Sequence, residues 1–171
     1  MQTIVKCGKC RHESVTSSPF MTQSLQHKTS LLKCLQEYYE EDALDDYYTC
    51  ESCKKKSKAK VRHMLVKLPQ ILVFHIKRFN SNFRKIEKNT AYGATLDMAP
   101  FCLPNMDPNL RGSSNYKLFA MTVHHGTLGG GHYVAYAQRE DNKWYNFNDE
   151  TYRVIKDADA LKQQAYLLFY R

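Results

Sequence analysis

The chain has 171 residues, of which 43% are hydrophobic and 12% aromatic, and its formal net charge at pH 7 is +8. This length and composition exclude a disordered chain and predict a globular protein, either one domain with a substantial core or two small lobes. Without an apolar run of the ~18–20 residues that a membrane span needs, or the apolar segment of a signal peptide, the sequence predicts a cytoplasmic or nuclear protein without membrane association.

Two Cys-x-x-Cys pairs, Cys7/Cys10 and Cys50/Cys53, lie in the first third of the chain with 39 residues between them. In a chain that is not exported, cysteines are expected to be thiols or metal ligands before disulfides. Two such pairs predict one tetrahedral zinc ion, and its role is structural because four thiolates leave no open coordination position. The alternative, a redox-active Cys-x-x-Cys, needs only one pair in a thioredoxin-like context.

A helix is predicted between the two cysteine pairs. Thr29 or Ser30 is a suitable N-cap. The apolar residues that then recur at helical spacing are Leu31, Leu32, Leu35, Tyr38 and Tyr39. Before it, the loose alternation from residue 14 to residue 25 predicts a strand. Cys34 lies beside the apolar stripe of the helix, so we expect a buried thiol there.

The segment after the second cysteine pair begins with the basic run Lys54–Lys60. This run and the stretch from Lys77 to Lys88 carry much of the excess positive charge. Such a run is more typical of a solvated face than of a nucleic-acid groove. The apolar stretch Ile71–Phe79 follows Pro69 and predicts a strand that is buried on both faces. His75, inside this stretch, is expected to be a core histidine with satisfied hydrogen bonds.

Residues 80 to 114 are rich in turn-forming residues, among them the run Asp107-Pro108-Asn109. Short strands are predicted at 84–86 and 95–98. Cys102 has neither a following helix start nor an activating neighbour, so we expect an unreactive thiol.

The last third predicts a strand at 116–123, a glycine-rich loop, a hairpin of two strands, a short helix near 157–165 and a final strand at 166–170. The hairpin turn falls at 139–142. If Gln138 pairs with Lys143, His132 lies opposite Asp149; a slip of one residue places it opposite Asn148. A histidine oriented by an amide or a carboxylate is two thirds of a nucleophilic triad.

Several stretches resemble one family, the ubiquitin-specific proteases, which are papain-like cysteine deubiquitinases. They occur in the family's order and cover nearly the whole chain. The matching stretches are the two cysteine pairs, Leu68–Phe79 (LPQILVFHIKRF), Gly130–Tyr136 (GGHYVAY), Trp144–Asp149 (WYNFND) and Ala165–Tyr170 (AYLLFY).

The resemblance implies an α+β fold with a mainly antiparallel β palm, zinc-ribbon fingers and a few short helices. The whole chain, 1–171, would be a partial catalytic domain, with zinc-bearing fingers and one helix in 1–64 and the palm with its histidine hairpin in 65–171. Fingers and palm grip ubiquitin in this family, and a thumb completes the catalytic cleft.

The resemblance also implies roles for individual residues. His132 is similar to the family's general base, Asn148 to its orienting partner and Asp149 to an adjacent acidic position. The loop 125–131 resembles one that closes over the ubiquitin tail, and 80–95 resembles a second blocking loop. The implied substrate-binding residues are His125, Gly130, Gly131 and Tyr133.

One departure from the family pattern concerns the nucleophile. The family's cysteine lies in a motif of the form Gly-Leu-x-Asn-x-Gly-Asn-Thr-Cys, which is absent from these 171 residues. We therefore expect the C-terminal portion of a deubiquitinase, whether a fragment, a truncated gene model or a pseudo-enzyme. The expected partners are ubiquitin and ubiquitinated proteins, and we expect a monomeric state and no activity alone. The alternatives are a non-catalytic ubiquitin-binding module and, last, a zinc-ribbon nucleic-acid binder, which leaves the histidine hairpin unexplained.

Overall fold

The computed structural model describes residues 1–106 and 113–171, so the predicted turn at Asp107-Pro108-Asn109 lies outside the described residues. The fold is α+β and mainly antiparallel, as predicted. It divides into two compact units, each built from several stretches of chain. The first comprises Met1–Phe20, Gln36–Leu68 and Met98–Ser114, and the second comprises Met21–Leu35, Pro69–Asp97 and Asn115–Arg171.

Strands make up most of the regular secondary structure, and the helices are few and short. The helices are α1 (Leu31–Tyr39) and α2 (Asp157–Ala160), with a 3₁₀ turn at Ala99–Phe101. The strands are β1 (Gln2–Cys7), β2 (Glu13–Ser17), β3 (Gln23–Gln26), β4 (Asp42–Ala43), β5 (Tyr48–Thr49), β6 (Lys56–Ser57), β7 (Ala59–Met64), β8 (Leu72–Lys77), β9 (Thr95–Asp97), β10 (Asn115–Thr127), β11 (Gly130–Gln138), β12 (Trp144–Asn148), β13 (Thr151–Ile155) and β14 (Ala165–Tyr170). Within the described residues, no helix has the length and apolar character needed to cross a membrane.

The first unit contains a four-stranded sheet in the order β2-β1-β7-β4 and the small β5–β6 pair. Ile4, Leu65 and Phe101 are buried in this unit. The ring of Tyr39 stacks on that of Phe101 with centroids 5.1 Å apart. The two hairpin ends of this unit carry the four cysteines of the Cys-x-x-Cys pairs.

Helix α1 begins where the sequence predicts. The Ser30 hydroxyl accepts the backbone N–H of Lys33 at 3.2 Å, which is the N-cap interaction. Leu31, Leu35 and Tyr39, spaced four residues apart, are buried. The helical periodicity therefore identifies these three buried positions, but Leu32, which the same pattern includes, is 50% exposed.

The second unit contains an eight-stranded sheet in the order β13-β12-β11-β10-β14-β8-β3, with β9 pairing onto β10. β3 and β8 pair in parallel and the other neighbours are antiparallel. The prediction of a strand buried on both faces at Ile71–Phe79 is wrong. In β8, Leu72, Phe74 and Ile76 are buried but Val73 and His75 are only half-buried, because one face of the sheet is less completely covered.

A buried arginine anchors the loop that follows β8. Arg78 is 1% exposed, and its guanidinium donates to the carbonyl oxygens of Ala165 at 2.7 Å, Lys88 at 3.0 Å and Ile86 at 3.3 Å. The strand predicted at 84–86 is reduced to a single bridge between Phe79 and Lys85. Two carbonyls of this segment are bonded to the arginine side chain instead of a neighbouring strand.

Candidate functional site

The hairpin of β11 and β12 forms as predicted, but its register differs by one residue. Gln138 pairs with Trp144, not with Lys143. The Arg139 N–H donates to the Lys143 carbonyl, so the loop inside this hydrogen bond has three residues, 140–142, and Asn142 takes a positive φ of 60°. A left-handed residue at this position is typical of three-residue hairpin loops and inserts the extra residue that shifts the pairing.

This register places the predicted base and orienter on one face of the sheet. Tyr136 pairs directly with Asn146. His132 lies four positions from Tyr136 along β11 and Asn148 lies two positions from Asn146 along β12, so both are on the same face. They are diagonal neighbours, and the His132 Nε2 lies 2.5 Å from the Asn148 Oδ1. The two side chains therefore meet although neither predicted direct pairing occurs.

The turn after β12 fixes Asn148 and Asp149. Asn148 pairs with Thr151 across a two-residue connection in which Asp149 has a φ of 48°. The Thr151 hydroxyl donates to the Asn148 carbonyl at 2.8 Å, which closes this turn. Asp149 is carried to the edge of the site, where its Oδ2 lies 3.8 Å from the His132 Nε2.

The direction of the His132–Asn148 hydrogen bond has a chemical consequence. An amide oxygen only accepts, so the His132 Nε2 carries the hydrogen and Nδ1 keeps its lone pair. An imidazole in this state can take a proton at Nδ1, and the Asn148 oxygen stabilises the orientation of the cation that forms. The side chain of His132 is 46% exposed, so Nδ1 is not enclosed in a core.

The glycine-rich loop lies at the end of the β10–β11 hairpin. His125 pairs with His132, and Gly126 pairs with Gly131. Gly126 has a φ of +107°, a conformation that residues with a side chain rarely adopt. Tyr133 is 54% exposed and its ring lies 4.8 Å from that of His124. The residues predicted to bind substrate, His125, Gly130, Gly131 and Tyr133, thus belong to one hairpin with His132.

The four cysteines of the two predicted pairs come together in the first unit. The sulfur atoms of Cys7, Cys10, Cys50 and Cys53 all lie within 4.8 Å of one another. The Cys10 and Cys50 sulfurs are 3.6 Å apart, close to the ~3.8 Å edge of a tetrahedron with Zn–S bonds of ~2.3 Å. The donor set and its size therefore fit a tetrahedral zinc ion.

Two of these thiols have strongly shifted pKa values of opposite sign. The backbone N–H of Cys10, then the Ser57 hydroxyl and the Lys9 N–H, lower the pKa of Cys7 to about 6. The backbone N–H of His12 lowers the pKa of Cys10, but burial and the neighbouring sulfurs outweigh it and raise that pKa to about 11. Four crowded sulfurs cannot all be thiolates without a cation, which is the electrostatic situation of a metal centre.

The other two cysteines lie in the protein interior. Cys34 is 2% exposed and Cys102 is 6% exposed. The Cys102 thiol donates to the Met98 carbonyl at 3.3 Å. Burial disfavours the thiolate, so neither has the environment of a reactive cysteine.

The basic run Lys54–Lys60 is largely engaged with its own unit. The Lys60 ammonium is 2.7 Å from a carboxylate oxygen of Glu41. The Lys58 ammonium donates to the Asp45 carbonyl at 3.3 Å and lies 4.9 Å from the centre of the Tyr47 ring. The acidic residues after α1 therefore offset part of this charge, which does not favour a nucleic-acid groove.

His124 and Thr151 are residues beside the site that the sequence does not single out. Thr151 is recognisable only once the turn around Asp149 is known. His124 is the neighbour of a predicted substrate-binding histidine, and its strand parity places it on the face opposite His132. The alternation of side chains along β10 can be read from the sequence, but the residue of β11 that pairs with His124 cannot.

Comparisons with known proteins all identify ubiquitin carboxyl-terminal hydrolases as similar to this chain. The family described as ubiquitin carboxyl-terminal hydrolase matches residues 1–170. Ubiquitin carboxyl-terminal hydrolase 10 of Arabidopsis thaliana is 35% identical over 186 residues, which cover 99% of this chain and 20% of that protein. Ubiquitin carboxyl-terminal hydrolase 8 of Saccharomyces cerevisiae is 31% identical over 185 residues, which cover 99% of this chain and 39% of that protein.

Solved structures agree in fold. In the SAGA Ubp8/Sgf11/Sus1/Sgf73 DUB module bound to ubiquitin aldehyde, one chain is 29% identical with a TM-score of 0.85. In the SAGA DUB module bound to monoubiquitin, the values are 31% and 0.86. The match covers 99% of this chain in both, and 40% and 39% of the matched chains. The chain thus spans about a fifth to two fifths of these relatives, and it belongs to the ubiquitin carboxyl-terminal hydrolase family, among the ubiquitin-specific proteases that its motifs resemble.

Proposed function

We propose that this chain forms the base-bearing and ubiquitin-gripping part of a cysteine deubiquitinase, which hydrolyses peptide and isopeptide bonds at the C-terminal glycine of ubiquitin. The observation that carries the proposal is the hydrogen bond between the His132 Nε2 and the Asn148 Oδ1. Family membership supports the reaction class. The proposed domain is the whole of 1–171 as a partial catalytic domain, with fingers in 1–64 and palm in 65–171.

In the proposed reaction, the His132 Nδ1 removes the proton of a cysteine thiol, and the thiolate attacks the carbonyl carbon of the terminal glycine of ubiquitin. The amine of the leaving group departs with the proton that the imidazolium returns, and water then hydrolyses the thioester. Asn148 holds the imidazole by accepting its Nε2–H. Asp149 adds a negative charge near the imidazolium, 3.8 Å from Nε2.

The nucleophilic thiol is proposed to come from outside these 171 residues. Four of the six cysteines form the sulfur cluster, and Cys34 and Cys102 are buried. We expect no covalent adduct when the chain is mixed with ubiquitin that carries a thiol-reactive group at its C-terminus. An adduct that disappears in Cys34→Ala or Cys102→Ala would refute this assignment. Reading the coding sequence upstream of Met1 for an in-frame Gly-Leu-x-Asn-x-Gly-Asn-Thr-Cys motif is an independent check.

A non-catalytic ubiquitin-binding role is the second candidate, and the burial of Cys34 and Cys102 favours it for the chain alone. Titration of the labelled chain with ubiquitin, with no thiol-reactive group present, separates the possibilities. Saturable binding without turnover is expected. Failure of ubiquitin to bind the folded chain would contradict both the catalytic and the binding role.

We propose one structural zinc ion, held by Cys7, Cys10, Cys50 and Cys53. Metal analysis of the purified chain is expected to give one equivalent of zinc, and Cys50→Ser is expected to give much less. Cys34→Ser, a buried cysteine outside the cluster, serves as the control and should keep the metal. Equal zinc content in both variants would argue against the assignment.

The proposed partners are ubiquitin and ubiquitinated proteins. Cytoplasmic or nuclear residence and a monomeric state stay predictions. Size-exclusion chromatography with light scattering tests the second of these.

A further inference from the structure

His124 is a buried histidine that the proposed reaction does not use. It lies in β10, is 7% exposed, and pairs with Tyr133 of β11. Its Nδ1 has no hydrogen-bond partner among the described residues. A buried imidazole with an unpaired nitrogen is costly, so the shape of the ring is a better explanation for its presence than its hydrogen bonding.

The ring of His124 is held firmly by its neighbours. Its centroid lies 4.8 Å from the ring of Tyr133, 5.7 Å from Phe79 and 6.0 Å from Tyr166. The backbone carbonyl of His124 accepts a hydrogen bond from the Lys85 ammonium at 2.6 Å. Both the side chain and the backbone of this residue are therefore fixed.

The free side of the ring lies against the backbone of Gly131. A Cβ atom on Gly131 would collide with the Nε2 and Cε1 atoms of His124, and with the His125 carbonyl oxygen. A Cβ atom on Gly129 or Gly130 would meet nothing within 4 Å. Of the three consecutive glycines, packing requires only Gly131 to lack a side chain.

The contact is one residue from the proposed base and on the opposite face of the strand. Residues 131 and 133 share the face of His124, because His124 pairs with Tyr133. His132 points to the other face, toward Asn148. The His124 ring therefore packs against the face of β11 opposite the His132 side chain, at the residue directly before His132.

We propose that His124 is a positioning residue: its ring packs against Gly131 and thereby fixes the direction in which the His132 side chain points from β11 toward Asn148. The inference rests on the proposed function only in calling His132 the base. The geometry itself can be measured in this chain without ubiquitin or turnover.

The test is NMR of the isotopically labelled chain, with the nuclear Overhauser cross-peaks between the His132 ring and the Asn148 side chain as the readout. We expect these cross-peaks to fall by about half or more in His124→Leu and in Gly131→Ala, because the side-chain pair then samples several arrangements. Gly130→Ala is the matched control and should leave them unchanged. The fluorescence of Trp144 in urea checks that each variant is folded.

A double variant separates a direct contact from a general loss of order. His124→Ala combined with Gly131→Ala should lose less than the sum of the losses in His124→Ala alone and Gly131→Ala alone, since removing the ring makes room for the new methyl group beside it. The relief is partial, because the His125 carbonyl also lies against the added Cβ. Unchanged cross-peaks in His124→Leu, additive losses in the double variant, or an equal loss in Gly130→Ala would each overturn the proposal. None of these results bears on whether ubiquitin is the substrate.

Discussion

Replacing Arg78 by lysine should lower the free energy of unfolding more than replacing it by methionine. Arg78 is 1% exposed, and the described partners of its guanidinium are three backbone carbonyls. Hydrogen bonds from a charged donor contribute about 1.5–3 kcal/mol each, while burying the cation has a desolvation cost of several kcal/mol. Arginine tolerates burial here because its planar fork reaches all three acceptors.

The three acceptors differ in what happens when the arginine is removed. Ala165 is 1% exposed, so its carbonyl would remain dry and unpaired, at a cost of about 1–3 kcal/mol. Lys88 is exposed and Ile86 is half-buried, so their carbonyls can turn to water. Arg78→Met also removes the desolvation cost of the cation, and we expect a net loss of about 2 kcal/mol. Arg78→Lys keeps a buried cation with fewer partners, and we expect a loss of about 3–4 kcal/mol.

Urea unfolding followed by tryptophan fluorescence measures these losses. The chain has one tryptophan, Trp144, which is 4% exposed and lies in the same unit as Arg78. Lys77→Met, on the exposed neighbouring side chain, is the control and should change the free energy of unfolding little. A lysine variant as stable as the parent would show that the guanidinium fork is not needed. A methionine variant as stable as the parent would show that desolvation cancels the three hydrogen bonds.

Three further predictions concern single groups. Tyr92→Phe removes the hydroxyl that donates to the Gln163 carbonyl at 2.7 Å, and should lower the free energy of unfolding in urea by about 1–2 kcal/mol. Burial, and then the charge of a nearby lysine, lower the pKa of His75 in the folded protein. The unfolded chain therefore binds more protons, and the free energy of unfolding should fall as the pH drops below about 6.5. In urea titrations at several pH values, His75→Gln should make this pH dependence weaker. Gly8→Ala places a Cβ 2.5 Å from the Lys58 carbonyl oxygen beside the cysteine cluster, and should speed the release of zinc to a colorimetric chelator relative to the parent chain.

The sequence predicts well whatever is decided by neighbours along the chain. The cap at Ser30 and the four-residue spacing of Leu31, Leu35 and Tyr39 locate α1, since both signals lie within the helix itself. The Cys-x-x-Cys spacing likewise predicts the sulfur cluster, because each pair brings two ligands to one turn. These are local patterns with a direct geometric meaning.

Long-range partners are what the sequence could not supply. The segment at 84–86 has strand-like residues, yet the Arg78 side chain bonds the carbonyl of Ile86 and only one bridge forms. The half-buried state of His75 depends on β3, which pairs with it from 51 residues away. Such pairings depend on the assembled sheet, so a strand's second face cannot be assigned from its own apolar run.

The site itself depends on a loop residue that carries no chemistry. Because Asn142 adopts the left-handed conformation, Gln138 pairs with Trp144, and Asn148 falls on the same face as His132. Had Gln138 paired with Lys143, Asn148 would lie opposite Tyr133 and its side chain would point away from His132, since a slip of one residue exchanges the two faces of a strand. Loop length between β11 and β12 is therefore part of the orienting machinery. Shortening this loop by one residue should separate the His132–Asn148 pair even with both side chains intact.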